Sequence, residues 1–326
     1  MRHLINFPLS ASSVSEYGGW EGLREELHRL NCCGLEGIWA GVDIPENLPA
    51  GMVTGYHLTF FPDWLDFYRE DRTAVERKFG SIEAARRFYG GWGRDTLLEL
   101  YRADLDRAVR LGVEYVVFHV SDVSIEEGYT YRWRHANEEV IDSAAEAVNT
   151  LLDGRDWGFD FLMENQWWPG FTFLEPKETA RLLERVHYPR RGILLDTGHL
   201  MNTNIDLRTQ AEGAAYIRAM VEKHGSLAGE IRGVHLHQSL SGGYVKSHTG
   251  FLPDGLPEDY MARYCVNYRH IQRIDQHLPW SDPSIIPVLA QIGPKYVTHE
   301  LSCGNRQQRW DAVYRQRDLL CCNTSP

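Results

Sequence analysis

The sequence predicts an α/β fold: a single (β/α)8 barrel over residues 1–326, with long insertions after the third and seventh strands. Eight short apolar segments rich in β-branched residues alternate with segments whose apolar residues recur at helical spacing. Six consecutive strands then end in a His, Asp or Glu, and a parallel barrel brings such strand ends to one rim. No internal repeat or low-complexity linker divides the chain, so we expect one domain.

Each element of this barrel is predicted from its local pattern. Short apolar runs predict strands at residues 4–9, 35–40, 52–60, 115–120, 160–165, 192–195, 231–237 and 296–301. Apolar residues at helical spacing predict helices at residues 20–30, 96–111, 137–152, 177–186, 207–224 and 305–319. A brief Pro-rich connection, residues 43–50, joins the second and third strands.

Two stretches, residues 61–94 and 240–294, are too long to be simple connections. Both are crowded with aromatic residues, including Phe61, Trp64, Trp92, Tyr260 and Trp280. Because both follow strands, they leave the barrel at its carboxyl-end face, where active sites of such barrels lie. We favour lids over that face, with packing on the barrel exterior as the alternative.

Composition limits the class of protein. The net charge of −11 argues against broad attraction to nucleic acid or anionic lipid. No apolar run approaches the ~20 residues of a membrane span, and the N-terminus is patterned as a strand rather than a signal peptide. The six cysteines form no Cys-x-x-Cys motif, so we expect reduced thiols and a cytoplasmic protein. The oligomeric state stays open, a homo-oligomer included.

The sixth strand carries the first candidate ligand. Residues 192–195 are apolar, and the run ends abruptly in Asp196-Thr-Gly-His199. A carboxylate at the mouth of an apolar strand is costly unless it is paired or binds a metal ion. A histidine just past the glycine can turn back toward the same point. The alternative is a helix N-cap aspartate with an incidental histidine.

The neighbouring strand ends supply further ligands: His57, His119, Glu164, His235, His237 and Glu300. Clustered carboxylates would repel each other unless a cation were present. Oxygen ligands with added imidazoles favour Mn²⁺ or Zn²⁺, with Co²⁺ and Mg²⁺ as further options. Alternation along a strand puts His235 and His237 on one face and directs His299 outward, away from Glu300. Four histidines that lie outside the strand ends are interpreted as ordinary: His187, His224, His270 and His277.

With these residues the chain resembles the xylose isomerase-like superfamily of TIM barrels, which includes sugar isomerases, epimerases and apurinic endonucleases. The most specific part is Leu195-Asp-Thr-Gly-His199 followed by Leu-Met-Asn202. The resemblance covers most of the barrel but neither insertion. It implies that the principal metal ion is bound by Glu164, Asp196, His235 and Glu300.

The endonuclease branch of this superfamily builds a multinuclear zinc site with histidines at positions like those of His57, His119, His199 and His248. The chain departs from that branch at Lys246, where an aspartate would hold a third ion, and at the His-Leu-His-Gln-Ser run of residues 235–239. A lysine ammonium would repel a cation there. We therefore expect one or two metal ions per chain and no appreciable cleavage of abasic-site DNA.

The epimerase branch usually has an arginine shortly after the seventh-strand histidine, and this chain has none before Arg263. Even so, we favour a divalent-metal-dependent sugar or sugar-phosphate isomerase/epimerase that works through an enediolate, with a small carbohydrate as its partner. In that mechanism Glu164 and Glu300 transfer the proton and His199 holds a substrate hydroxyl. Aromatic residues that follow strands four and five would stack on the sugar: Trp167, Trp168, Phe171, Tyr131 and Trp133.

Two other function classes stay open. One is a multinuclear-zinc phosphodiesterase like the apurinic endonucleases, which needs Lys and Arg at the rim to meet a DNA backbone. The other is a noncatalytic, metal-binding subunit. Nucleic acid and membrane partners are disfavoured by the charge and hydropathy of the chain.

Overall fold

Eight parallel strands close into a barrel in the order of the sequence. The computed structural model describes residues 1–45 and 47–322. The strands are β1 (Arg2–Leu9), β2 (Gly34–Trp39), β3 (Val53–His57), β4 (Tyr115–His119), β5 (Asp160–Glu164), β6 (Arg191–Asp196), β7 (Ile231–His235) and β8 (Tyr296–His299). Each strand pairs in parallel with the next, and β8 closes onto β1. The predicted (β/α)8 barrel is confirmed.

Helices surround the barrel and fill both insertions. They are α1 (Ala11–Ser15), α2 (Trp20–Arg29), α3 (Leu65–Tyr68), α4 (Arg72–Phe79), α5 (Ile82–Tyr89), α6 (Gly93–Leu111), α7 (Ile125–Thr130), α8 (Asn137–Leu152), α9 (Pro176–Arg185), α10 (Thr197–Asn202), α11 (Gln210–His224), α12 (Gly242–His248), α13 (Tyr260–Ile274), α14 (Ile285–Ile292) and α15 (Arg306–Cys322). Among the described residues, none of these helices is long and apolar enough to cross a membrane.

Several predicted strands extend beyond their observed ends at the carboxyl-end rim. The third was predicted at residues 52–60 but ends at His57, and the seventh was predicted at residues 231–237 but ends at His235. The next residue in each case, Leu58 or Leu236, is still buried. Apolar patterning reports burial rather than strand pairing, so it continues after the chain has left the ladder.

The core has two layers. Inside the barrel, side chains from β1, β4, β5, β6 and β8 pack together, and this inner cluster consists of Leu4, Tyr115, Val117, Leu162, Leu194 and Tyr296. A much larger cluster lies between the strands and the surrounding helices. Because the barrel interior is packed with side chains, the functional groups at the strand ends rest on a rigid support.

The first insertion is fixed by a buried ion cluster. The Lys78 ammonium in α4 lies 2.6 Å from Asp63 Oδ1, 2.8 Å from Asp66 Oδ2 and 3.8 Å from Asp122 Oδ2. Its side chain is only 3% exposed. Burial raises the pKa of Asp63 to about 7, although Lys78 favours its charged form. One cation therefore holds three carboxylates that join the insertion to the loop after β4.

We predict that Lys78→Met destabilises the protein by about 3–5 kcal/mol, because it leaves buried carboxylates without their cation. Without Lys78 the folded-state pKa values of these carboxylates rise above the unfolded values. The folded state then binds more protons, so the lost stability should be larger at pH 8 than at pH 5. Urea unfolding at both pH values measures this, with the exposed Lys246→Met as control. Equal losses in the two variants would contradict the prediction.

The second insertion lies over the carboxyl-end rim and contacts the first. Helix α13 packs against α7 and α12. Its first residue, Tyr260, stacks on Phe79 of α4 with ring centroids 4.1 Å apart. Its C-terminal end leads directly to Asp275 and His277, which point into the rim. The aromatic residues of the two insertions thus pack against each other and support α13 over the carboxyl-end rim of the barrel.

Candidate functional site

The four residues predicted to bind the principal metal ion lie together at the rim. Glu164, Asp196 and His235 end β5, β6 and β7, and Glu300 directly follows β8. One ligand atom from each lies within 4.8 Å of the others. His235 Nδ1 is 2.8 Å from Glu300 Oε2, 3.4 Å from Glu164 Oε1 and 3.7 Å from Asp196 Oδ2. These residues form the first ligand group.

The side chains of the first group fit a divalent cation. Glu164 Oε1 and His235 Nδ1 are buried and have no aligned hydrogen bond, so they converge on a shared space. Burial alone would raise the pKa values of Glu164 and Asp196, but the surrounding imidazoles hold both pKa values well below their usual range. Two ionised carboxylates at full burial are the donors that a divalent ion requires.

A second ligand group consists of His57, His119 and Glu164. Glu164 Oε2 lies 2.9 Å from His119 Nε2 and 3.2 Å from His57 Nε2. His57 Nδ1 is bonded to the backbone oxygen of Leu58 at 2.8 Å, which leaves Nε2 as the ring nitrogen that faces Glu164. His57, His235 and Glu300 also lie within ligand range of one another, so the first and second groups are contiguous.

A third ligand group consists of His199, His237, Asp275 and His277. Asp275 Oδ2 lies 3.2 Å from His199 Nε2 and 3.3 Å from His277 Nδ1. Burial alone would raise the pKa of Asp275, but the imidazoles of His277 and His199 lower that pKa. The expectation that a third ion would lack ligands is therefore wrong, because Asp275 and His277 replace the residues sought near Lys246.

The structure does not bring His248 to the site. His248 ends α12 on the surface. Its Nδ1 lies near the backbone oxygen of Tyr244, and its ring stacks on the Tyr244 ring with centroids 4.1 Å apart. Lys246 is exposed as well and pairs with Asp206 at 2.6 Å. Both lie on the exposed face of α12, whose opposite face packs through Val245 against Trp167 and Trp168. We remove His248 from the proposed ligand set.

His277 was interpreted as an ordinary histidine because it lies outside the predicted strand ends. It follows α13 in a loop and has a φ of 47°, which is uncommon for a residue with a β-carbon. Such a conformation persists where surrounding contacts fix it, and these residues are concentrated at functional sites. The one sequence signal was the Asp275-Gln-His277 spacing, which can present two ligands from a single turn.

Asp196 is the helix N-cap that the sequence offered as an alternative, and it also lies in the first ligand group. Its Oδ1 caps α10 by accepting from the His199 backbone N–H at 2.6 Å, while Oδ2 lies 2.8 Å from His237 Nε2. Gly198 makes this packing possible, because a β-carbon there would lie 2.0 Å from His237 Cε1. The Asp-Thr-Gly-His motif therefore joins the first and third groups.

The directions that strand alternation predicted for the side chains of His299 and His235 are confirmed. His299 faces outward, where its ring nitrogens contact His3 and Gln316. His235 faces inward, and its Nε2 lies 2.9 Å from Glu36 Oε1 on β2. Sequence reasoning missed Glu36, a fully buried carboxylate deep inside the barrel. A carboxylate behind a ligating histidine fixes its ring and tautomer.

The cavity that opens above the ligand groups has a volume of about 310 Å³ and is called the main cavity of the rim. Six ligand residues line it, and its apolar wall is formed by Ile38, Trp39, Phe60, Trp167, Trp168 and Tyr268. Within the described part of the chain, no Lys or Arg side chain lines this cavity. Of the aromatic residues predicted to meet substrate, Trp167 and Trp168 are in place, Tyr131 packs behind them, Phe171 is in the core and Trp133 is 40% exposed.

The barrel and its rim of His, Asp and Glu define a protein of the xylose isomerase type. Residues 60–312 match the family described as the xylose isomerase-like TIM barrel, well over half of the chain. The chain belongs to this family, and the resemblance inferred from the sequence is confirmed. No curated protein sequence matches it at a significant level.

Solved structures with the same fold include both branches of the superfamily. Endonuclease IV from Thermus thermophilus superposes with a TM-score of 0.53 at 14% identity, covering 98% of this chain and 99% of that chain. L-ribulose 3-epimerase gives a TM-score of 0.52 at 12% identity, with 98% and 93% coverage. A D-tagatose 3-epimerase-like protein gives 0.50 at 15% identity, with 100% of both chains covered. At these identities the likeness is one of fold.

We predict that zinc-loaded protein holds about three ions per chain, one for each ligand group. Asp275→Ala and His277→Ala should each lose about one ion, whereas His248→Ala should lose none. Mass-spectrometric metal analysis after gel filtration measures the ratio. A wild-type count of one ion, or equal losses in the His277 and His248 variants, would contradict the third group.

We also predict that Glu36→Gln weakens zinc binding by about 10- to 100-fold, because it removes the carboxylate behind His235. Competition with a chromophoric chelator measures the affinity. Glu184→Gln, on the exposed face of α9, serves as the matched control and should bind zinc as the wild type does. An unchanged affinity in Glu36→Gln would exclude this supporting role.

Proposed function

We propose that the chain is a multinuclear metal-dependent phosphodiesterase that acts on a small substrate. The observation that carries this proposal is the third ligand group, which adds Asp275 and His277 to a site otherwise sufficient for one or two ions. The sequence favoured an isomerase or epimerase and ranked the phosphodiesterase second. The geometry of the rim supports the reverse order.

The contacts of Glu164 argue against its use as a carbon base. An isomerase needs a carboxylate that is free to accept a proton from the substrate. Both oxygens of Glu164 instead face imidazoles: His57 and His119 on one side, His199 and His235 on the other. The side chain is fully buried and does not line the main cavity. An enclosed carboxylate of this kind is suited to bridging two ligand groups.

The ligand groups would hold divalent ions, which neutralise phosphate charge and supply a nucleophilic water at neutral pH. The chain's own contribution lies at the open side of the site. Glu300 and His277 both line the main cavity, with His277 Nε2 3.9 Å from Glu300 Oε2. Their side chains are 12% and 24% exposed, more than those of the buried ligands. This pair can orient the attacking water and the departing oxygen through hydrogen bonds.

The main cavity supports a small substrate rather than duplex DNA. Its volume is about 310 Å³, within the size range of small-molecule sites. DNA recognition needs Lys and Arg set to meet phosphates, and none lines the cavity within the described residues. The net charge of −11 points the same way.

The second candidate is a sugar isomerase or epimerase. The aromatic wall of Trp39, Trp167 and Trp168 favours it, because such rings stack on the apolar faces of sugars. Glu300, on the cavity surface, would then be the carboxylate that accepts a carbon-bound proton.

One assay with two readouts separates the candidates. Zinc- or manganese-loaded protein is incubated in D2O with bis(4-nitrophenyl) phosphate or with a panel of ketoses. We expect release of 4-nitrophenolate, reduced by ~10²–10⁴-fold in His277→Ala, which loses a residue that orients the reacting groups, and unchanged in His248→Ala. Deuterium incorporation into a ketose without phosphodiester cleavage would favour the isomerase. Neither activity in the metal-loaded protein would favour the noncatalytic binding subunit.

A further inference from the structure

A second, smaller cavity lies beside the main cavity. This side chamber has a volume of about 100 Å³ and shares four wall residues with the main cavity: Phe60, Trp168, Tyr268 and Ile271. Its far wall is formed by Val123, Ile125 and Gly128 of the segment after β4, and by Tyr260 and Tyr264 of α13. The chamber is thus enclosed by the segments that follow β3, β4 and β5 and by the second insertion.

The chamber is apolar, but two of its wall residues carry unmatched acceptors. Asp63 Oδ2 and Asn267 Oδ1 are buried and accept no hydrogen bond from the protein. Leaving a buried acceptor without a donor costs free energy that a suitable ligand can recover. An occupant that fits should therefore be flat or compact, apolar over most of its surface, and able to donate a hydrogen bond at one edge.

The size of the chamber limits the occupant. An apolar cavity of ~150 Å³ in a protein core takes up benzene. The chamber, with a volume of about 100 Å³, can accept one aromatic ring, and the rest of the ligand would lie in the adjoining main cavity, with which the chamber shares four wall residues. Trp168 and Phe60 offer ring faces and edges to such a group.

We propose that the side chamber is a specificity subsite for an aryl group of the substrate, whose phosphate lies at the three ligand groups. The position given to the phosphate rests on the proposed function, whereas the position given to the aryl group rests on the chamber itself. The substrate class is then an aryl or arylalkyl phosphodiester in which a hydroxyl or N–H on the ring meets Asp63 and Asn267.

Gly128 allows the chamber to be filled without changing the metal ligands. It lies within α7, and a β-carbon there would be 3.4 Å from Asn267 Oδ1 and 3.6 Å from Ile271 Cδ1, which are ordinary contacts. Gly128→Leu therefore places a side chain in the chamber, and Gly128→Ala fills less of it while favouring the helix. Gly243→Leu is the matched control, since Gly243 lies in α12 and has open space around it.

The test measures binding to zinc-loaded protein by calorimetry. The probes are methylphosphonate and three aryl phosphonates with a linker of increasing length between ring and phosphorus: phenyl-, benzyl- and 2-phenylethylphosphonate. None of them has an ester bond to cleave. We expect the best aryl probe to bind on the order of 10- to 50-fold tighter than methylphosphonate, as burial of one ring would give. Gly128→Leu should abolish this gain, Gly128→Ala should reduce it, and Gly243→Leu should leave it unchanged.

Different failures identify which proposal is wrong. If methylphosphonate binds but no aryl probe gains affinity, or the gain persists in folded Gly128→Leu and Gly128→Ala, the aryl subsite is overturned and the phosphodiesterase stands. Binding of 4-fluorophenol alone is followed by ¹⁹F NMR. If it binds in a Gly128-dependent way while no phosphonate binds, the subsite is supported and the phosphodiesterase is overturned. If neither class binds, both proposals are wrong.

Discussion

The arrangement at the rim depends on one buried carboxylate, Glu164. Its two oxygens face four imidazole rings, and its side chain has no exposed surface. A buried, ionised carboxylate without compensating positive charge costs several kcal/mol, so the surrounding histidines are a condition for placing it there. Because Glu164 belongs to the first and second ligand groups and contacts His199 of the third, its position fixes the spacing of all three.

The part of the site on the strands was predictable from the sequence because a barrel restricts where strand ends can go. Parallel strands of similar length bring their carboxyl ends to one rim, so Glu164, Asp196, His235 and Glu300 had to meet once the strands were recognised. Alternation along β8 also indicated the outward direction of His299, now seen against His3 and Gln316. The supporting Glu36 was not predictable, because it lies mid-strand, where nothing marks a buried acid as a partner of His235.

The third ligand group could not be predicted by the same reasoning. Asp275 and His277 follow a helix of the second insertion, where neither strand parity nor rim position applies. The resemblance to the endonuclease branch implied that ligands of a third ion would lie at the positions of Lys246 and His248. In the structure α12 carries those two residues to the surface, and α13 returns the chain to the rim. Contacts made by a long insertion depend on tertiary packing, which sequence spacing does not encode.

Helix α13 lies beside both cavities and leads to the third ligand group. Tyr268 and Ile271 line both cavities, and the C-terminal end of the same helix leads to Asp275 of the third group. At its N-terminal end, Tyr260 stacks on Phe79 in the helix that also carries Lys78. Helices are stiff over this length, so a ligand that shifts the middle of α13 must also move its end. The second insertion therefore supplies part of the wall of both cavities and also Asp275 and His277 of the third ligand group.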